Sequence, residues 1–91
     1  MFHVLTLTYL RPLDVIDETR PEHVTWIQRE IDAGRLLLAG RQDTQRGGVL
    51  ITADIDTAEA EDLMVSDPYH RAGLVSYQRL SFNGALRAPG L

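Results

Sequence analysis

Several features that would assign a function at once are missing from this sequence of 91 residues. It has no cysteine, which excludes disulfides, thiol catalysis and zinc sites built on thiolates. No apolar run is long enough to span a membrane, and the first residues show neither a basic leader nor a cleavage site. We therefore expect a soluble, cytoplasmic protein with no membrane partner.

An excess of basic charge is also missing. Nine basic residues are scattered among thirteen acidic ones, and the formal charge is -4. Nucleic-acid binding requires a basic stripe with interleaved aromatic residues, so no nucleic-acid partner is predicted.

Motifs for metals, phosphates and nucleophilic serines are lacking as well. No two histidines stand at i, i+4, so no metal site is predicted. The segment QRGGVL at 45–50 lacks the lysine and the spacing of a phosphate loop, and no serine lies in a nucleophile-elbow pattern.

The apolar pattern predicts four strands and two helices. Strand periodicity or short apolar runs mark residues 2–9, 35–40, 47–55 and 74–82. A first helix is predicted over about 20–33, with Thr19 as its cap, Pro21 in its first turn and Gly34 after its end. A second helix is predicted to start at the cap Asp56 and to end before Pro68.

The order strand, helix, strand, strand, helix, strand is typical of the ferredoxin-like α+β fold. Both helices then cover one face of a four-stranded antiparallel sheet. The residues expected beneath the helices are Leu5, Leu7, Val49 and Ile51. The residues expected on the open face are Val4, Thr6, Thr8, Leu50, Thr52, Ser76, Gln78, Leu80 and Phe82.

The predicted open face is too apolar to be left fully in water, which favours a homodimer packed through it. The alternative is a monomer whose tail folds over the same face. We expect one domain over residues 1–82, followed by a tail at 83–91 that packs on the surface or frays.

The topology brings His23 and Asp67 to the same edge of the molecule. His23, in the predicted first turn of helix one, is turned toward the buried flank, where the helix dipole disfavours its protonated form. Asp67 ends helix two, where a carboxylate is unfavourable unless a partner compensates it. A histidine oriented by a carboxylate is a workable general base. The alternatives stay open: a structural histidine, and an aspartate that only ends a helix before proline.

Other polar and aromatic side chains are weaker candidates. Tyr69 and Arg41 could line a pocket beside the pair, and Arg41 or Arg46 could attract an anionic or phenolate substrate. Trp26 and Tyr77 are predicted as core aromatics.

Two separated motifs resemble the signature regions of the YciI-like family. They are the stretches RPEHVTWIQREIDAGRLLLAG at 20–40 and SDPYHRAGL at 66–74, and the likeness extends from strand one to strand four. The resemblance implies a dimeric ferredoxin-like α+β barrel that carries an active-site histidine and aspartate, which fall on His23 and Asp67. It implies no cofactor.

The resemblance also implies a reaction class, because the best-understood relatives eliminate hydrogen chloride from a chlorinated hydroxyquinol. The first hypothesis is therefore a cofactor-free lyase or isomerase that acts on a small molecule, with His23 as base and Asp67 as its orienting partner. The second is a ligand-binding or regulatory module that uses the same pair without turnover. A lactone isomerase or quinol oxygenase with the same barrel is the third, because fold alone does not fix function.

Overall fold

The computed structural model describes all 91 residues and contains four strands and three helices. The strands are β1 (Phe2–Tyr9), β2 (Leu36–Arg41), β3 (Gly47–Thr52) and β4 (Val75–Phe82). The helices are α1 (Leu13–Asp32), α2 (Thr57–Ser66) and the short α3 (Pro68–Arg71). None of the helices is both long and apolar enough to cross a membrane.

The four strands form one sheet in the order β2-β3-β1-β4, and every neighbouring pair is antiparallel. The predicted ferredoxin-like α+β architecture is confirmed. Side chains from one sheet face join side chains from the helices in a single buried cluster. Its ten members are Leu5, Leu7, Ile16, Trp26, Leu36, Leu50, Leu63, Tyr69, Leu74 and Val75.

Helix α1 begins at Leu13, seven residues before the predicted start. Pro12 is its N-cap, and the Pro12 carbonyl accepts from the N–H groups of Val15 and Ile16 at 3.0 and 3.1 Å. Pro21 therefore lies inside the helix, and the prediction that Thr19 caps it was wrong. His23 sits near the middle of α1, beyond the first turn where the helix dipole acts, so that part of the electrostatic argument was wrong too.

The two faces of β3 are the reverse of the prediction. Leu5 pairs with Leu50, and both are buried beneath the helices, whereas Val49 and Ile51 share the open face with their partners on β1. The prediction failed because both faces of 47–55 carry apolar side chains, so alternation alone could not say which one is buried.

The open face of the sheet keeps large apolar side chains in water. Leu38, Leu80 and Phe82 are 58%, 66% and 46% exposed. Residues 83–91 form no helix or strand, and they cover one corner of this face. There Gly84 packs against the Phe2 ring, and the Arg87 guanidinium lies 4.9 Å from the centre of that ring. The tail thus shields Phe2 and leaves most of the face uncovered.

Candidate active site

His23 and Asp67 are in direct contact, as the topology predicted. Nδ1 of His23 lies 2.6 Å from Oδ1 of Asp67, and both residues are buried. The contact joins the middle of α1 to the junction between α2 and α3, because α1 packs directly against α3.

Asp67 is held in place by its position between two helices. Its backbone N–H closes α2 on the Leu63 carbonyl, and its Oδ1 accepts from the Tyr69 N–H at 3.0 Å to cap α3. Pro68, at the first position of α3, keeps the Asp67 backbone extended. The residue does end a helix, as the simpler interpretation held, and the same geometry aims its carboxylate at His23.

Tyr77 completes the surroundings of Asp67. Its hydroxyl donates to Oδ2 of Asp67, which leaves Oδ1 to His23 and the Tyr69 N–H. Burial and the adjacent carboxylate raise the pKa of Tyr77 well above its usual range, so the hydroxyl stays a donor. Tyr77 was predicted only as a core aromatic. Its pairing with Leu7 in the sheet places it on the helix-covered face beside Asp67.

Tyr69 stacks on the imidazole of His23. The two ring centres are 3.8 Å apart and the planes differ by 12°. Burial raises the pKa of Tyr69 to about 12, which keeps its phenol neutral at physiological pH. The Tyr69 N–H thus holds the Asp67 carboxylate that contacts His23, and the Tyr69 ring stacks on the imidazole itself. The Tyr69 hydroxyl has no hydrogen-bond partner in the protein.

The second nitrogen of His23 is left without a partner. Asp67 occupies Nδ1, and no protein group bonds to Nε2. His23 lines a cavity of about 190 Å³ between α1 and the sheet. A carboxylate only accepts hydrogen bonds, so Nδ1 is the protonated nitrogen of the neutral ring and Nε2 carries the lone pair. The arrangement therefore offers a base to a molecule in this cavity.

The cavity walls are mainly apolar, with two arginines and a tyrosine among the polar residues of the lining. Leu7, Val24, Ile27, Ala39 and Leu50 supply apolar surface. The polar lining includes Arg20, Arg41 and Tyr69.

Arg41 lines the cavity, and the protein engages its guanidinium. Nε donates to the Tyr9 hydroxyl at 3.0 Å, and Nη2 lies 2.5 Å from Asp17. Arg46 lies elsewhere, at a surface depression beside Tyr9 and Pro12. Arg20, which the sequence reasoning did not select, lines the cavity and pairs with no carboxylate.

The other histidines lie away from this cavity. His3 is fully buried, with Nδ1 2.6 Å from the Ser81 hydroxyl and Nε2 2.9 Å from the Ile55 carbonyl. His70 is exposed on α3. No group of three histidine or carboxylate side chains comes together in a way that could hold a metal ion.

Comparison with known proteins agrees with this architecture. The model of the YCII-related domain matches residues 1–82. A "12 kDa protein" of Mycolicibacterium smegmatis is 79% identical over 24 residues, which is 26% of this chain and 100% of that sequence. Because the match covers residues 1–82, the chain belongs to the YCII-related domain family.

A solved structure shares the fold at low sequence identity. It is the 5-chloro-2-hydroxyhydroquinone dehydrochlorinase TftG from Burkholderia phenoliruptrix AC1100, in complex with 2,5-dihydroxybenzoquinone. The TM-score is 0.75 at 18% identity, and the match covers 91% of this chain and 94% of that one.

Proposed function

We propose that this protein is a cofactor-independent lyase or isomerase in which His23 is the general base and Asp67 orients it. The observation that carries the proposal is the 2.6 Å contact between Nδ1 of His23 and Asp67, together with a free Nε2 on a residue that lines a cavity. A base placed in this way contributes about 10²–10⁴-fold to a proton transfer.

In the proposed reaction, Nε2 of His23 takes a proton from a phenol, an enol or a carbon acid. In an elimination, the electron pair released moves through the substrate and expels a leaving group such as chloride. In an isomerisation, the proton returns to another atom of the same substrate. Asp67 stabilises the imidazolium formed in either case, and the Tyr77 hydroxyl neutralises part of the Asp67 charge while holding its orientation.

The comparisons support a small-molecule site and give a first class of substrate to test. The YCII-related family is consistent with a domain that binds or transforms small molecules. The structural neighbour is a dehydrochlorinase in complex with a dihydroxybenzoquinone. Halogenated phenols are therefore the first substrates to test, followed by enolisable lactones.

The test is release of chloride from 5-chloro-2-hydroxyhydroquinone, with exchange of solvent deuterium into enolisable lactones measured in parallel. His23→Gln and Asp67→Asn are expected to lower any turnover by about 10²–10⁴-fold. His70→Gln is the matched control, because this histidine is exposed and lies outside the cavity. Turnover that survives in His23→Gln contradicts the assignment of the base. Binding without turnover in wild type indicates a ligand-binding module instead.

We also propose that two copies pack through the open face of the sheet. Exposed Leu38, Leu80 and Phe82 lie on this face, and the tail covers only its Phe2 corner. A group of exposed apolar side chains on one face commonly marks a surface that packs against another protein. Light scattering of the intact chain measures the mass in solution and tests the dimer.

A further inference from the structure

We propose that Arg20 and the Tyr69 hydroxyl form an oxyanion-binding subsite, and that the substrate is a single-ring molecule carrying a carboxylate or phenolate. This rests on the proposed function, since it assigns the class of substrate for the same cavity.

Arg20 is the arginine of the cavity that no carboxylate neutralises. The chain has no lysine, so all nine of its Lys and Arg residues are arginines. Four of them pair with carboxylates: Arg35, Arg41, Arg79 and Arg87. Of the other five, Arg20 alone lines the cavity that contains His23.

Asp17 lies one helical turn before Arg20, and the two residues border one shallow surface depression. Its Oδ1 accepts from Nη2 of Arg41, and it makes no ion pair with Arg20. The three side chains together therefore carry one net positive charge, in a protein whose formal charge is -4. A local positive charge in an otherwise acidic protein attracts an anion to this place on the molecule.

The Tyr69 hydroxyl has no protein partner, and Tyr69 lines the same cavity as Arg20. The centre of the Tyr69 ring lies 6.1 Å from the ring centre of Tyr9, whose hydroxyl accepts from Nε of Arg41 at 3.0 Å, so Tyr69 lies beside the part of the lining that carries Arg41. A phenol that stays protonated donates a hydrogen bond to an oxyanion and adds no negative charge that would repel it. A guanidinium and a neutral hydroxyl donor in the lining of one cavity are suited to binding a carboxylate or a phenolate.

The cavity size suits a small substrate. An apolar cavity of about 150 Å³ holds a molecule of benzene. The volume here is about 190 Å³, which leaves room for one six-membered ring with small substituents. Apolar walls from Leu7, Ile27 and Leu50 suit the ring, and the charged part of the lining suits its oxyanion.

Two matched pairs of probes test the subsite by NMR titration of the intact protein. Benzoate against benzamide tests a carboxylate, and 4-nitrophenolate against 4-nitroanisole tests a phenolate. At least one anion is expected to bind about tenfold more tightly than its neutral counterpart, because hydrogen bonds to charged groups are the strong ones. The pair that shows the preference identifies which oxyanion the site accepts.

Arg20→Gln is expected to abolish the preference for the anion and to leave the affinity of the neutral probe unchanged. Tyr69→Phe keeps the aromatic stack on His23 and is expected to weaken the anion by a few-fold. Arg46→Gln is the control, since it removes the same charge outside the cavity. The proposal is overturned if the neutral probes bind equally well, if Arg46→Gln causes the same loss, or if no probe binds.

His23→Gln separates this inference from the proposed function. Anion preference that survives in His23→Gln, with no turnover found for wild type, supports the subsite and contradicts the catalytic proposal. The converse result is turnover that needs His23 and whose KM is unchanged in Arg20→Gln. That result supports the catalytic proposal and overturns the subsite.

Discussion

Substitution of Asp67 by Asn perturbs the candidate site most directly. The fully buried carboxylate accepts from the His23 ring, the Tyr77 hydroxyl and the Tyr69 N–H. An amide has one acceptor oxygen in place of two, so at least one buried donor loses its partner. An unsatisfied buried group costs about 1–3 kcal/mol, and the cost is larger when the lost hydrogen bond involved a charged group such as the Asp67 carboxylate. We expect a loss of about 2–4 kcal/mol, which corresponds to a fall in Tm of roughly 10–25 °C.

The assay is urea-induced unfolding at neutral pH of wild type, Asp67→Asn and the control Asp62→Asn. Asp62 pairs with Arg35 at 3.0 Å, but its side chain is 60% exposed. Such surface pairs contribute less than about 1 kcal/mol. If the unfolding free energies of Asp67→Asn and Asp62→Asn differ by less than about 0.5 kcal/mol, the buried hydrogen bonds of Asp67 contribute little to stability, contrary to this prediction.

Three further predictions concern alkaline stability, strand packing and assembly. Burial raises the pKa of Tyr77 above the ordinary value of 10, so above pH 10 the unfolded chain loses a proton that the folded chain keeps. Stability therefore falls there with a slope of up to about 1.4 kcal/mol per pH unit for Tyr77, and Tyr69 contributes similarly up to about pH 12, so urea unfolding should show that Tyr77→Phe lowers the combined slope by about half. Gly47→Ala should lower the free energy of unfolding by at least about 2 kcal/mol, because the added Cβ would lie 1.9 Å from the Leu7 carbonyl oxygen. The control is Gly40→Ala, which has open space around the added Cβ and should unfold at nearly the same urea concentration as wild type. Leu80→Arg should convert the proposed dimer to a monomer in light scattering, and a dimer that persists would exclude this face as the interface.

The order and pairing of the strands could be predicted because each strand has a clear apolar pattern and turn residues separate neighbouring elements. The start of α1 could not, because Pro21 fits a first turn as well as an interior position. The buried side of this helix carries His23 and Glu30, and residues 17–22 supply no large apolar side chain, so apolar periodicity alone does not extend the helix back to Leu13.

The candidate site was predicted in part. Contact between His23 and Asp67 followed from the topology, although the pair meets at the middle of α1 and not at its start. Tyr77 and Arg20 were missed, since their importance lies in which partners they have or lack, and only three-dimensional packing decides that. The division between a domain at 1–82 and a separate tail stays a prediction, as do the catalytic roles of the pair and the substrate contacts of Arg41 and Tyr69.

Long-range proton–nitrogen NMR correlation of the His23 imidazole, in wild type and in Asp67→Asn, measures directly whether Asp67 orients the base. The proposal predicts one fixed tautomer in wild type, protonated at Nδ1 and with a lone pair on Nε2, and a loss of that preference in the variant. A ring protonated at Nε2, or one whose tautomers are unaffected by Asp67→Asn, would contradict the assignment of His23 as a base oriented by Asp67.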